Sequence, residues 1–116
     1  MPMKSPGCIF CRVVARELPA TLVYEDDQCI AFEDVNPKAP CHLLVVPRRH
    51  IPTLNDGGEE DEGLLGHLLA VASRAAREKG VRSFRTVINT NADAGQTIYH
   101  LHVHVLGGRI MRWPPG

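Results

Sequence analysis

Residues 100–105 alternate strictly between imidazole and aliphatic side chains, and a leucine follows, in the order His-Leu-His-Val-His-Val-Leu. Successive side chains of a β-strand point to opposite faces of the sheet. The alternation therefore predicts a strand over residues 98–106, with the three histidines on one face and the aliphatic residues facing the core. Aliphatic side chains would fill a core at least as well as imidazoles, so the aligned His100, His102 and His104 indicate chemistry.

Three interpretations of this row of histidines compete. It is a solvated strand face, a metal site, or a nucleophilic site in which one imidazole attacks while its neighbours orient it and bind an anion. Same-face neighbours on a strand lie about 6.7 Å apart, so two rings can share an ion, but the outer two, about 13 Å apart, are poorly placed to do so. A nucleophilic imidazole must be neutral, and we expect its other nitrogen to donate to a backbone carbonyl.

The loop that precedes the histidines, residues 91–97, favours an anionic ligand such as a phosphate. Gly95 permits a backbone conformation in which successive N–H groups converge on an anion. Gln96 and Thr97 add side-chain donors. Neither of the two common glycine-rich nucleotide-binding motifs occurs in the chain.

Short strands and one long helix predict an α+β domain with a five-stranded, mostly antiparallel sheet. A short helix over residues 8–18 ends before Pro19. A long helix over residues 60–80 has acidic residues at its start and basic residues at its end, which complement the helix dipole, and Gly80 as its C′ residue. The strands are predicted at residues 22–25, 29–32, 42–46, 84–89 and 98–106.

The composition is that of one globular domain without a bulk charge. Lys plus Arg and Asp plus Glu each number 13 among the 116 residues, so the formal net charge is zero. This balance argues against binding nucleic acid or an anionic membrane through bulk charge. The aliphatic run at 43–46, predicted to be buried on both faces, is far too short to span a bilayer, and no secretory signal is visible. We expect a cytoplasmic protein with a loose segment at residues 1–7 and one domain over 8–116.

The cysteines fall into two groups. Cys8 and Cys11 form a C-x-x-C pair, which suits either a metal or a redox site. Disulfides are the weaker interpretation in a reducing compartment. Cys29 and Cys41 are expected to be small buried side chains. His67, which lies between leucines in the long helix, is expected to have a structural role.

The sequence of residues 100–106 matches the signature of the histidine triad family, H-φ-H-φ-H-φ-φ with φ an apolar residue. Residues 31–35 and 39–51 resemble the family's second and third strands, and residues 64–68 resemble its main helix. The tail, residues 107–116, is similar to the ending of the Hint branch, the histidine triad nucleotide-binding proteins. The resemblance implies the family's fold, with the sheets of a homodimer joined and this tail at the dimer interface and active site.

The resemblance also implies an activity. Hint-branch enzymes bind purine nucleotides and hydrolyse nucleoside 5′-phosphoramidates at the α-phosphate through a nucleotidyl-histidine intermediate. The nucleophile maps to His102, the α-phosphate ligand to His104 and the ribose-binding carboxylate to Asp34. The positions that complete the histidine set or contact the phosphate or the base are His42, His100, Asn89, Thr97, Ile9, Phe10, Leu18 and Val35. The alternative is a nucleotide-binding or protein-interaction module with little turnover.

The C-x-x-C pair resembles that of bacterial family members, in which two cysteines and two histidines hold a structural zinc ion. The resemblance assigns the ligands to Cys8, Cys11, His50 and His100. A Cys2His2 set is a sound tetrahedral site, and it would tie the first helix to the sheet and fix His100 beside the nucleophile. Two free thiols on a short helix are the alternative.

Overall fold

The computed structural model describes residues 7–116, and a five-stranded antiparallel sheet forms its centre. The strand order across the sheet is β1-β2-β3-β5-β4. The strands are β1 (Leu22–Glu25), β2 (Cys29–Glu33), β3 (Cys41–Pro47), β4 (Phe84–Val87) and β5 (Val103–Gly107). A short helix, α1 (Ile9–Val14), and a long helix, α2 (Glu62–Glu78), complete the α+β fold and confirm the predicted class. The predicted loose segment at residues 1–7 lies, except for Gly7, outside the described residues.

Alternation along the strands gives the sheet two buried faces. On one face, α2 covers Leu43, Val45, Val103 and Val105, and Leu101 joins the same cluster, as predicted for the aliphatic residues of the alternating segment. The other face, which we call the α1 face, carries a second cluster together with the ring of Phe10 from α1. Its strand residues are Ile30, Phe32, Leu44 and Val46. Strand parity places His42 and His104 on this α1 face.

The fifth strand is shorter than the alternation predicts, because it begins at Val103 and not at residue 98. Its neighbour β4 ends at Val87, which pairs with His104, so no strand lies on that side of the preceding residues. In that segment the N–H of Leu101 donates to the carbonyl of Ile51 at 2.7 Å, outside the sheet ladder. Among the three histidines of the alternating segment, His104 therefore lies on a regular strand, while the other two lie on an irregular approach to it.

The helices are also shorter than predicted. Helix α1 ends at Val14 because Arg16 takes a left-handed backbone conformation, with φ of 61°. A 3₁₀ turn over Glu59–Asp61 precedes α2, which ends at Glu78 with Gly80 in the left-handed conformation predicted for it. Strand β4 ends two residues early, at Val87. No helix within residues 7–116 combines the length and the apolar character needed to cross a membrane.

Asp26 joins the β1–β2 hairpin to helix α2. One carboxylate oxygen accepts the backbone N–H groups of Gln28 and Cys29, and the other accepts the Tyr24 hydroxyl and lies 2.6 Å from Nε2 of His67. Partial burial raises the pKa of Asp26, but these hydrogen bonds together bring it well below its usual range. His67 therefore has the structural role that was predicted for it.

Replacing Asp26 with asparagine is expected to lower the free energy of unfolding by about 2 kcal/mol at pH 7, because an amide cannot accept from all these donors. A carboxylate with a depressed folded-state pKa stabilises the protein above its unfolded pKa, and this stabilisation is lost as the pH falls through the folded pKa. The difference between the free energies of unfolding of wild type and variant, measured in urea, should therefore shrink below about pH 4. An unchanged difference from pH 7 to pH 2 would contradict this account.

Candidate active site

An open cleft of about 950 Å³, part of it exposed to solvent, lies between α1 and the α1 face of the sheet. Most of the residues that the sequence assigned to catalysis or nucleotide binding line this cleft. They are Ile9, Phe10, Leu18, Asp34, Val35, Asn89, Gly95, Thr97, His102 and His104. The side chains of Val35, 96% exposed, and Ile9, 46% exposed, form part of its rim and do not belong to the buried core.

The backbone fixes the proton position of His102. Its Nδ1 lies 2.8 Å from the carbonyl oxygen of His100, and since a carbonyl can only accept, Nδ1 carries the proton. Burial lowers the pKa of His102, so the ring is neutral at pH 7. The ring of Phe10 packs edge-on against it, with centroids 5.1 Å apart. The predicted backbone partner is confirmed, and Nε2 holds an unprotonated lone pair at the cleft.

His104 also lines the cleft, and His42, on the adjacent strand β3, contacts its ring. Nε2 of His42 lies 2.9 Å from Nδ1 of His104, and a carboxylate oxygen of Asp34 lies 3.4 Å from the same Nε2. Burial lowers the pKa of His104 to about 4, and it also lowers the pKa of His42. Both rings are therefore neutral at pH 7. His42 does not line the cleft itself, and its Nε2 faces two residues that do, His104 and Asp34.

His100, predicted to belong to the catalytic set, is fully buried and does not line the cleft. Its Nε2 donates to the carbonyl of Pro47 at 2.8 Å. Its Nδ1 lies 3.3 Å from Sγ of Cys8, 3.5 Å from Sγ of Cys11 and 3.3 Å from Nδ1 of His50. The side chain thus belongs to a cysteine–histidine cluster, and its backbone carbonyl is the part that contacts His102.

This cluster has the dimensions of a tetrahedral metal site. The ligand atoms of Cys8, Cys11, His50 and His100 all lie within 4.8 Å of one another. For bonds of about 2.3 Å to sulfur and about 2.1 Å to nitrogen, the edges of such a tetrahedron measure about 3.4–3.8 Å, close to the distances seen here. The set is compatible with zinc. No potential metal-binding group among the described residues unites all three histidines of the alternating segment, so a single ion held by that row is not supported.

The loop over residues 91–97 differs from the prediction in two respects. The side chain of Gln96 is buried and does not line the cleft, since its amide bonds to the N–H of Asn91 and the carbonyls of Pro52 and Ile98. The backbone N–H groups of Gly95 and Gln96 donate to carbonyls within the loop and do not converge on the cleft. Gly95 takes the left-handed conformation, with φ of 97°. The side chain of Gln96 therefore bonds to backbone groups in and around the loop, and its predicted contact with a ligand stays a prediction.

Several residues that line the cleft are missing from the sequence-based assignment. They are Val13, Pro19, Ala20, Phe32, Glu33, Leu44 and Ile98. Alternation along β2 and β3 could have indicated Phe32 and Leu44, because both share the α1 face with His42. Pro19 and Ala20 lie in the irregular segment between α1 and β1, where no periodicity marks them.

Comparison with known proteins gives consistent matches. The family model described as "Scavenger mRNA decapping enzyme C-term binding" matches residues 7–111. An uncharacterised HIT-like protein of Synechocystis sp. is 52% identical over 109 residues, which cover 93% of this chain and 96% of that protein.

Solved structures agree with this match. A HIT family hydrolase from Legionella pneumophila is 46% identical with a TM-score of 0.92, and the alignment covers 95% of this chain and 100% of that one. A zinc-bound histidine triad family protein from Mycobacterium smegmatis is 32% identical with a TM-score of 0.77, over 89% of this chain and 76% of that one. The chain, with its alternating histidines beside the cleft, belongs to the histidine triad (HIT) family.

Proposed function

We propose that this protein is a purine nucleotide-binding hydrolase that cleaves nucleoside 5′-phosphoramidates at the α-phosphate. The observation that carries the proposal is the hydrogen bond from Nδ1 of His102 to the carbonyl of His100, because it leaves an unprotonated Nε2 at the cleft. A neutral imidazole held in this way is a competent nucleophile. The Hint-like tail supports a phosphoramidate as the substrate.

The reaction has two steps. Nε2 of His102 attacks the α-phosphorus, the bond from phosphorus to the substrate nitrogen breaks, and this nitrogen takes up a proton from the solvent and leaves as the amine. Water then attacks the nucleotidyl-histidine, the bond from phosphorus to Nε2 breaks, and the nucleoside monophosphate and a proton are released. Donors from His104, Asn89 and Thr97 offset the charge on the phosphoryl oxygens as the bond order changes.

The remaining residues of the cleft suit a nucleoside. Asp34 offers a carboxylate to the vicinal hydroxyls of the ribose, and its Oδ1 is held by the backbone N–H of Asn36 at 2.8 Å. Ile9, Phe10 and Leu18 supply apolar surface for the base. Phe10 is itself held by Phe32, with ring centroids 5.7 Å apart. An apolar slot of this kind accepts either purine.

Hydrolysis of a fluorogenic adenosine 5′-phosphoramidate tests the proposal. We expect turnover, and we expect rapid quenching in denaturant to trap adenylate on the protein in an acid-labile, base-stable linkage, as a phosphorus–nitrogen bond requires. Binding of AMP without any turnover would instead favour a nucleotide-binding or protein-interaction module.

We also propose that Cys8, Cys11, His50 and His100 hold a structural zinc ion. The interatomic distances support this assignment, as does the backbone N–H of Cys11, which donates to Sγ of Cys8 at 3.3 Å. The hydrogen bond from Nε2 of His100 to Pro47 orients the ring and leaves Nδ1 for a metal. Bound zinc would crosslink the start of α1 to the segments that follow β3 and precede β5, and it takes no part in the chemical steps.

A cytoplasmic homodimer remains a prediction, and we propose that the tail lies at its interface. Strand β4 is at the edge of the sheet, and Arg85 on this strand donates to the carbonyl of Arg112 at 2.9 Å. Ile110 and Trp113 are 89% and 80% exposed, and a dimer interface would bury their apolar surface. The predicted boundary of the tail shifts slightly, because Gly107 is the last residue of β5.

Deleting residues 110–116 is expected to change substrate choice more than stability. These residues are mostly exposed, so the melting temperature should fall little. If the tail contacts the leaving group of the substrate, the ratio of kcat/KM between a bulky and a small amine leaving group should change about tenfold, the scale of one apolar contact. An unchanged ratio with full activity would contradict this role for the tail.

A further inference from the structure

The ring of His42 receives a hydrogen bond from the main chain. The backbone N–H of Lys38 lies 2.9 Å from Nδ1 of His42. An amide N–H can only donate, so Nδ1 of His42 must hold a lone pair. The proton of the neutral ring is consequently on Nε2, the nitrogen that faces His104.

This assignment determines the proton position of the next ring. Nε2 of His42 lies 2.9 Å from Nδ1 of His104, and with the proton on the former, the latter accepts. The proton of neutral His104 is then on Nε2, the nitrogen left for the cleft. In the opposite tautomer a lone pair would face the cleft, and it would repel the oxygens of a bound phosphate.

We propose that the main-chain N–H of Lys38 is a positioning group for the reaction: acting through His42, it holds His104 as an N–H donor towards the α-phosphate. The identity of the ligand rests on the proposed function, whereas the proton positions are a property of the free protein. The two can therefore fail separately.

The loop that carries Lys38 is built to hold this N–H in place. The N–H of Asn36 donates to Asp34, the N–H of Asp34 donates to the carbonyl of His42, and the guanidinium of Arg109 donates to the carbonyl of Lys38 at 3.3 Å. The ammonium of Lys38 donates to the carbonyl of Asn36 at 3.0 Å, on the exposed side of the loop. The inference concerns only the main chain at Lys38, so its side chain is dispensable for this role.

The first experiment uses the unmodified protein labelled with nitrogen-15. Long-range proton–nitrogen spectra report which ring nitrogen of each histidine carries the proton. Scalar couplings across N–H···N hydrogen bonds report the donor and acceptor directly. We expect a coupling from the Lys38 amide nitrogen to Nδ1 of His42, and protons on Nε2 of both His42 and His104. A proton on Nδ1 of either ring in the free protein at pH 7 would overturn the proposal.

The second experiment removes the N–H alone, by replacing Lys38 with its α-hydroxy analogue so that an ester takes the place of the amide. Lys38→Ala is the matched control, since it keeps the N–H and loses the side chain. We expect the ester protein to show a second tautomer at His42 and His104 and about tenfold weaker AMP binding, while the alanine variant keeps the wild-type tautomers and affinity.

The outcomes separate the two proposals. Wild-type tautomers in a folded ester protein would overturn the role of the Lys38 amide, whatever its affinity for AMP. An ester protein that does not fold leaves the couplings in the unmodified protein as the deciding measurement. A wild-type protein with the expected tautomers but no affinity for AMP or turnover would contradict the proposed function and leave the positioning chain intact.

Discussion

Replacing His102 with alanine is expected to lower kcat/KM for an adenosine phosphoramidate by at least about 10⁴-fold, the scale seen when a covalent nucleophile is removed. Among residues 7–116, no other side chain at the cleft offers an unprotonated nitrogen on a ring held by a backbone carbonyl in the way that His102 is held. AMP affinity should change by less than about tenfold, because the donors and the apolar lining remain. Steady-state kinetics and AMP titration measure the two effects.

His67→Ala is the matched control, because it removes an imidazole that bonds to Asp26 on the opposite side of the sheet. This variant should keep wild-type kcat/KM while losing some stability. The trapped protein-bound adenylate should be absent from His102→Ala and present in His67→Ala. Equal kcat/KM in wild type and His102→Ala would refute the proposal that His102 is the nucleophile.

Replacing Cys11 with alanine is expected to reduce bound zinc from one equivalent per chain to less than about a tenth, because a tetrahedral structural site needs all four ligands. Binding of a structural metal adds directly to folding free energy, so the free energy of unfolding should fall by about 5 kcal/mol or more. Metal analysis of protein never exposed to chelator, together with urea unfolding, measures both quantities.

Cys41→Ala controls for the loss of a buried thiol, since Cys41 is also buried but lies on β3, outside the cluster. It should keep its zinc and lose only about 1 kcal/mol, as expected for a small cavity. A strong chelator should lower the melting temperature of wild type and Cys41→Ala but not that of Cys11→Ala. Full zinc content in Cys11→Ala would refute the assignment.

The sequence predicted the elements whose periodic apolar residues pack against a neighbouring helix or strand. The alternation of residues 101, 103 and 105 correctly placed their side chains in the core, and the charge distribution of α2 marked its position. The length of β5 could not be predicted, because it depends on where β4 ends and on the bond from Leu101 to Ile51, which are contacts between distant segments. The end of α1 depends on the left-handed conformation of Arg16, a residue type that gives no signal of it.

Most of the residues that line the cleft could be predicted from the family motif, and fewer from the chemistry of residue types alone. Loop composition indicated Gln96 as a ligand contact and did not indicate its hydrogen bonds to backbone groups, because a polar side chain beside a glycine is equally able to make either contact. The C-x-x-C pair could be connected to His50 and His100 only through the family resemblance, since His50 lies 39 positions after Cys11 in the sequence. The main-chain donor at Lys38 has no side-chain signature, so no reading of residue types would have found it.

His100 contacts the cysteine–histidine cluster and His102 through different groups. Its imidazole belongs to the cysteine–histidine cluster, whereas its peptide oxygen orients His102. Every amino acid supplies that oxygen, so a relative with apolar residues in place of Cys8, Cys11 and the ring of His100 would still hold the histidine at position 102 in the same tautomer. Over evolutionary time, dependence on a metal and the capacity for catalysis are thus free to be inherited independently.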